Sequence, residues 1–276
     1  MSDWYKISEI SKDTYMIEEP GYVRCFLING DHKSILIDTG MGMADLKTAI
    51  TPFTRNDISV LNTHWHFDHI GSNHQYENVG ISAKEERLVE KDVSNEFMKN
   101  ALRYIAEGAS FPDGFNVDDY YIRGVKAAFT IDDGDIFDLG SRHLEAIATP
   151  GHSEGSMSFL DSNSGILFSG DLKFKGGYLD IQYIESSIDE FVTSLKKLEG
   201  RMNDINTVFP SHYGAPVPVE YICKIHTALI KIKADKLGYS EEIIMGAPIL
   251  IYDFGEFQVF LKKPGTNGIG FREMVF

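Results

Sequence analysis

The first third of the chain carries apolar residues in unbroken short runs. YVRCFLI (22–28) and SILID (34–38) are rich in β-formers and are joined by a turn around NGDH; ISVLNTH (58–64) has the same character. Runs of this kind are strands covered on both faces, which predicts a layered α/β architecture. A short helix over 43–50 fits between the second and third runs. From 83 to 108 the pattern becomes helical and charged, with Phe97, Ala101, Tyr104 and Ile105 on one inward face. The stretch SFPDGFNVDDYYIRGVK (110–126) is aromatic and irregular, and predicts a loop.

Strands return with AAFTI, HLEAIATP, SMSFLD and GILFSGD, the last two forming a hairpin across DSNSG. A helix then starts at Ser187 as N-cap, with Glu190 as its capping-box partner. Its stripe is Ile188, Phe191, Leu195 and Leu198, and Gly200 closes it. A strand (TVFPSH), a helix over 219–237 ending at Gly238, and a hairpin of PILIYDF with FQVFLKK complete the pattern. No repeat, low-complexity tract or linker interrupts it. The expectation is one domain over 1–276, with 84–126 as a helical and loop segment capping a substrate pocket.

Composition narrows the class. A chain of 276 residues that is 43% hydrophobic and 12% aromatic has ample material for a core. Lys+Arg 26 against Asp+Glu 41 gives a net charge of −15, which repels phosphate backbones. No basic run offers a nucleic-acid or anionic-membrane patch. Cys25 and Cys223 stand far apart and outside any C-x-x-C pair, which excludes a sulfur-ligated zinc knuckle and fits a reducing compartment. The opening MSDWYKISEI has neither signal-peptide order nor a spanning segment, so the expectation is a cytoplasmic protein without membrane or nucleic-acid partners.

The candidate chemistry is concentrated in THWHFDHIG (63–71), where His64, His66, Asp68 and His69 fall within six positions. In extended chain, residues two apart share a side, so His64 and His66 converge on one ion, while Asp68 and His69 are free to serve a second. Three later stretches each deliver one further ligand at a strand end: His152 in TPGHSEG, Asp171 in FSGD and His212 in FPSHYG. Five histidines and two aspartates suit two three-residue sites and one bridging carboxylate, a nitrogen and oxygen set for zinc, iron or manganese. Taken alone, Asp171 or His212 also reads as a cap or turn residue. Asp38 in ILIDTG either supports a ligand histidine from behind or caps a turn. His32, His74, His143 and His226 match no such pattern.

In order and rough spacing these motifs resemble the metallo-β-lactamase superfamily: His64-x-His66-x-Asp68-His69, then Gly151-His152-Ser153, Gly170-Asp171 and Ser211-His212-Tyr213-Gly214. The likeness spans nearly the whole chain. It implies a four-layer αββα sandwich, with His64, His66 and His152 on one ion, Asp68, His69 and His212 on the other, and Asp171 between them. Lactamases of the superfamily lack the bridging aspartate, so Asp171 points to the glyoxalase II, lactonase and thioesterase branches. The glyoxalase II branch ends in a helical domain, whereas this chain ends in a β-hairpin. The nucleic-acid-processing and flavodiiron branches carry extra domains not seen here. The stretch from 83 to 200, including GDLKFKGGYLD and IESSIDEF, is similar to the branch that cleaves acyl-CoA thioesters.

The resemblance implies a metal-dependent hydrolase. Two divalent ions, zinc first and iron or manganese as alternatives, lower the pKa of a shared water to near 7, and the resulting hydroxide attacks an ester, thioester or lactone carbonyl. Asp68 orients the nucleophile. Tyr178 is either a proton donor to the leaving group or a packing aromatic at a strand edge. Within the capping segment, Phe97, Phe111, Phe115, Tyr120 and Tyr121 either line an acyl groove or belong to the core. Lys99, Arg103, Arg123 and Lys126 either meet an anionic head group or sit in solvent. The competing expectations are a one-iron oxidoreductase like the persulfide dioxygenases and a catalytically silent metal-binding protein. The expected partner is a small ester or thioester.

Overall fold

The computed structural model describes residues 4–270 apart from 20, 22, 55, 95, 107–110 and 173–175. The chain divides into two compact units, Met1–Leu144 and Glu145–Phe276.

The first unit is built on a seven-stranded sheet. Its strands are β1 (Lys6–Ser11), β2 (Thr14–Glu18), β3 (Arg24–Asn29), β4 (Ser34–Ile37), β5 (Ile58–Leu61), β6 (Val79–Ser82) and β7 (Phe129–Ile131), arranged in chain order. β1 to β4 run antiparallel, and β4 to β7 run parallel. Parallel neighbours need a crossover. α1 (Leu46–Ile50) supplies one between β4 and β5, and α2 (Phe67–Ile70) lies in the next. Cys25, Phe26, Leu27 and Ile28 are all buried, which is why β3 reads as a continuous apolar run. Leu46 and Ile50 bring α1 onto a core with Leu27, Leu36, Val60 and Val79, each of the two burying roughly 2 kcal/mol of apolar surface. α1 starts at Asp45, whose side chain accepts Thr48 N–H, two residues inside the expected start.

The expected helix over 83–108 breaks up. A 3-10 turn covers Glu86–Leu88, Val93 bridges Ile122, and among the described residues only α3 (Glu96–Ala106) is α-helical. Its described buried residues are Met98 and Leu102, while Ala101 is half-buried; the side chains of Phe97, Tyr104 and Ile105 lie outside the description. The short strand β8 (Ile136–Asp138) follows β7.

The second unit contains β9 (His143–Ala148), β10 (Met157–Asp161), β11 (Ile166–Gly170), β12 (Tyr178–Ile181), α4 (Ile188–Glu199), β13 (Thr207–Pro210), α5 (Tyr221–Lys233), β14 (Ser240–Ile244), β15 (Ala247–Asp253) and β16 (Gln258–Lys262). The unit boundary falls within β9. One sheet has the order β13-β11-β10-β9 and another the order β12-β16-β15-β14. β10 and β11 form the expected hairpin, and β13 runs parallel to β11. α4 follows its sequence signature: Ser187 Oγ accepts Glu190 N–H at 3.3 Å, and Phe191, Leu195 and Leu198 are buried. Gly200, however, keeps a right-handed backbone (φ −64°), so the helix does not end in the left-handed turn expected of a closing glycine. α5 stops at Lys233, before the expected 237, because Asp235 turns left-handed (φ 51°). Phe191, Leu195 and Leu198 of α4 and Ile222, Ile225 and Leu229 of α5 share one core with strand residues such as Leu167, Val208 and Val259.

Lys262 of β16 fastens the loop after β12, its Nζ donating to the carbonyls of Tyr183, Ile184 and Ser186 at 3.1, 2.7 and 2.7 Å. No described helix is long and apolar enough to cross a membrane.

Candidate metal centre

In the first unit the relevant residues leave the C-terminal ends of parallel strands, where ligand sites in α/β sheets gather. β5 ends at Leu61, short of the expected His64, and the chain continues irregularly to α2. His66 is the extended residue before that helix (φ −61°, ψ 147°), while Asp68 and His69 lie on its single turn. The His64 ring is 4.6 Å from His66 and 4.1 Å from His69, centroid to centroid. All three imidazoles are at most 3% exposed. Gly71 permits this packing, since a Cβ there would stand 2.1 Å from the Met41 carbonyl carbon.

Asp38 follows β4 with a left-handed backbone (φ 60°), a conformation that concentrates at functional sites. Its Oδ1 accepts Thr63 N–H at 2.7 Å, and its Oδ2 faces the Thr63 hydroxyl at 2.8 Å and His69 Nδ1 at 2.8 Å. An ionised carboxylate only accepts, so both partners donate to it. The Thr63 oxygen in turn accepts from His64 Nδ1 at 3.0 Å. His64 and His69 therefore carry their protons on Nδ1 and present Nε2 lone pairs. Asp38 thus stands behind His69 and Thr63 and does not cap a local turn.

Behind this loop lies Glu19, 1% exposed, whose Oε2 accepts Met41 N–H at 2.8 Å. Burial pushes its carboxyl up to about 7.

In the second unit His152 follows β9, Asp171 follows β11 and His212 follows β13. Gly151 precedes His152 at φ 143°, and a Cβ there would lie 2.5 Å from the Phe191 ring, so only glycine passes this corner. His152 Nδ1 donates to the Asp180 carbonyl at 3.1 Å, leaving Nε2 to face Asp171 Oδ2 at 3.4 Å. The other oxygen, Asp171 Oδ1, faces His212 Nε2 at 3.2 Å. One carboxylate thus turns an oxygen toward each of two imidazoles. In the first unit Asp68 Oδ2 stands similarly 3.6 Å from His69 Nε2.

A lone pair on Nε2 facing a carboxylate oxygen is repulsive unless a cation or a second proton lies between. Rings anchored through Nδ1, with Nε2 turned toward carboxylates, are what a nitrogen and oxygen metal site requires, so the residues of each unit fit bound cations.

Asp180 was missed from sequence. It is 2% exposed, and with His152 and Asp171 it offers ligand atoms that all lie within 4.8 Å of one another. A lone aspartate in a strand gives no signal; only its alternation with buried Leu179 and Ile181 marks the position as unusual.

Tyr178 stacks on Phe260 (4.2 Å, 14°) and leans on Tyr213 (5.6 Å), which gives it the packing role at least. In the capping segment Phe111 and Tyr120 flank Phe115 at 5.2 and 5.6 Å. Tyr120 is core, its hydroxyl donating to Met41 O at 2.6 Å, whereas Tyr121 is exposed. Lys99 and Arg103 are tied to Asp118, while Arg123 and Lys126 are exposed.

Residues 19–212 match the family model described as the metallo-beta-lactamase superfamily. The chain is 27% identical over 233 residues to the acyl-coenzyme A thioesterase MBLAC2 of Homo sapiens, covering 76% of this chain and 82% of that one. It is 23% identical to the probable polyketide biosynthesis zinc-dependent hydrolase PksB of Bacillus subtilis (strain 168), covering 78% and 84%. A solved metallo-beta-lactamase from Pontibacter korlensis superposes with a TM-score of 0.57 at 19% identity, over 82% of this chain and 99% of that one.

Proposed function

This chain belongs to the metallo-beta-lactamase superfamily, with its mixed α/β fold and metal-dependent hydrolase chemistry, and from that premise we propose that it is a dinuclear enzyme cleaving thioesters of the acyl-coenzyme A class. The observation that carries the dinuclear reading is Asp171, whose two oxygens face two different histidines. Under this reading the ligands are His64, His66, Asp68 and His69 of the first unit and His152, Asp171 and His212 of the second, with Asp171 serving two cations. Divalent cations at such a centre supply Lewis acidity and lower the pKa of water. Zinc is the first candidate, supported by the donor set and by the zinc-dependent relative.

The chain's own groups do the rest. Asp68, half-buried on α2, accepts a hydrogen bond from the attacking water and takes up its proton on a carboxylate oxygen. Asp38 and Thr63 hold His64 and His69 in the ligating tautomer. A thiol leaves as thiolate near its ordinary pKa of about 8.5 and needs little acid help, which fits a centre where Tyr178 is packed between aromatics. The thioester preference is supported by the human relative's activity.

Elemental analysis of purified protein, followed by thiol release from an acyl-CoA panel beside lactones, tests the proposal. Two zinc per chain with thioester cleavage is expected. A single iron with oxygen uptake on persulfides, or metal-loaded protein inert on the whole panel, would overturn it.

A further inference from the structure

We infer that Asp180 belongs to the working metal centre, as the carboxylate that sets the affinity of the cation held by His152 and Asp171. The inference rests on the metal-centre reading and goes beyond its seven residues.

Asp180 meets His152 through its backbone and stands near it through its side chain. Its backbone carbonyl accepts His152 Nδ1–H at 3.1 Å, and its carboxylate offers an oxygen within 4.8 Å of candidate ligand atoms of both His152 and Asp171. Gln182 Nε2 donates to Asp180 Oδ1 at 2.6 Å, which fixes the carboxylate's orientation on β12. Asp171 is also buried, at 6% exposure. Two carboxylates this near one another, away from water, repel strongly, and an amide such as Gln182 brings a dipole but no net charge. A divalent cation between them relieves this repulsion: it attracts both carboxylates, and a second carboxylate at this short range deepens its well. An added oxygen donor also shifts preference toward harder ions such as Mn²⁺.

Asp180→Asn tests this in the full chain, because asparagine keeps the shape, the backbone carbonyl and an acceptor for Gln182 while removing the charge. Zn²⁺ and Mn²⁺ are the probes, with affinity read by chelator competition and stability by melts with and without metal. The expected result is Zn²⁺ affinity about ten- to hundred-fold weaker, with a larger loss for Mn²⁺. The metal-induced rise in Tm shrinks, while the metal-free Tm stays at or above wild type. Gln182→Leu, which removes the hydrogen bond but leaves the charge, is expected to keep Zn²⁺ affinity within a few-fold. Wild-type affinity in Asp180→Asn, a parallel fall of both melting temperatures, or equal weakening in Gln182→Leu would overturn the inference. None of these readouts involves a substrate, so failure of the thioester assignment is distinguishable from failure here.

Discussion

The Asp38 carboxylate accepts the Nδ1 proton of His69 at 2.8 Å, and the same oxygen takes the hydroxyl proton of Thr63, which lies 3.0 Å from His64 Nδ1. One aspartate outside the proposed ligand set thereby fixes the tautomer of two rings. Asp38→Ala is expected to weaken metal binding by about ten- to hundred-fold, measured by competition with a chromogenic chelator. Unchanged affinity would mean that the two rings adopt their ligating form without it.

His66→Ala and Asp171→Ala remove a proposed ligand and the proposed bridge. Both variants are expected to lose hydrolysis and to carry less metal, while the far-UV circular dichroism stays close to wild type. Retained turnover in either would exclude the dinuclear mechanism.

Tyr178 distinguishes leaving groups. Tyr178→Phe keeps the stack on Phe260 and removes only the hydroxyl. Thioester turnover is expected to stay within about two-fold of wild type, because a thiolate departs without an acid. If turnover falls by about a hundred-fold, on the scale of lost general-acid catalysis, the hydroxyl is a catalytic donor.

Glu19 makes stability depend on pH. Its carboxyl is raised by burial to about 7 from an ordinary value of 4.5. Between those values the folded chain binds more protons than the unfolded one, so stability falls as pH rises through that window, by about 3 kcal/mol. Glu19→Gln, which still accepts Met41 N–H, is expected to flatten the profile and to melt higher than wild type at pH 8. Equal slopes from pH 5 to 8 would show that Glu19 stays charged throughout.

Much of the site was readable because its residues follow apolar runs: His152, Asp171 and His212 each stand just beyond a strand recognisable from composition. Asp38 could be placed but not interpreted, since its role depends on Thr63 and His69, 25 and 31 residues away. Asp180 was invisible, as a strand aspartate acquires meaning only from what it faces. Among the elements, β14 escaped because SEEII is exposed through Ile243 and carries no apolar alternation. α5 is shorter than Gly238 as a stop predicts, because Asp235 already adopts the left-handed turn.

The clamp formed by Lys262 gives the last strand a remote influence. Its ammonium gathers the carbonyls of Tyr183, Ile184 and Ser186, and the Ser186 hydroxyl holds the carbonyl of His152 at 2.7 Å. β16 thus acts as a buttress for an imidazole more than a hundred residues upstream. Lys262→Met, which removes only the ammonium, should therefore register first as leakage of bound metal, with the helices still intact.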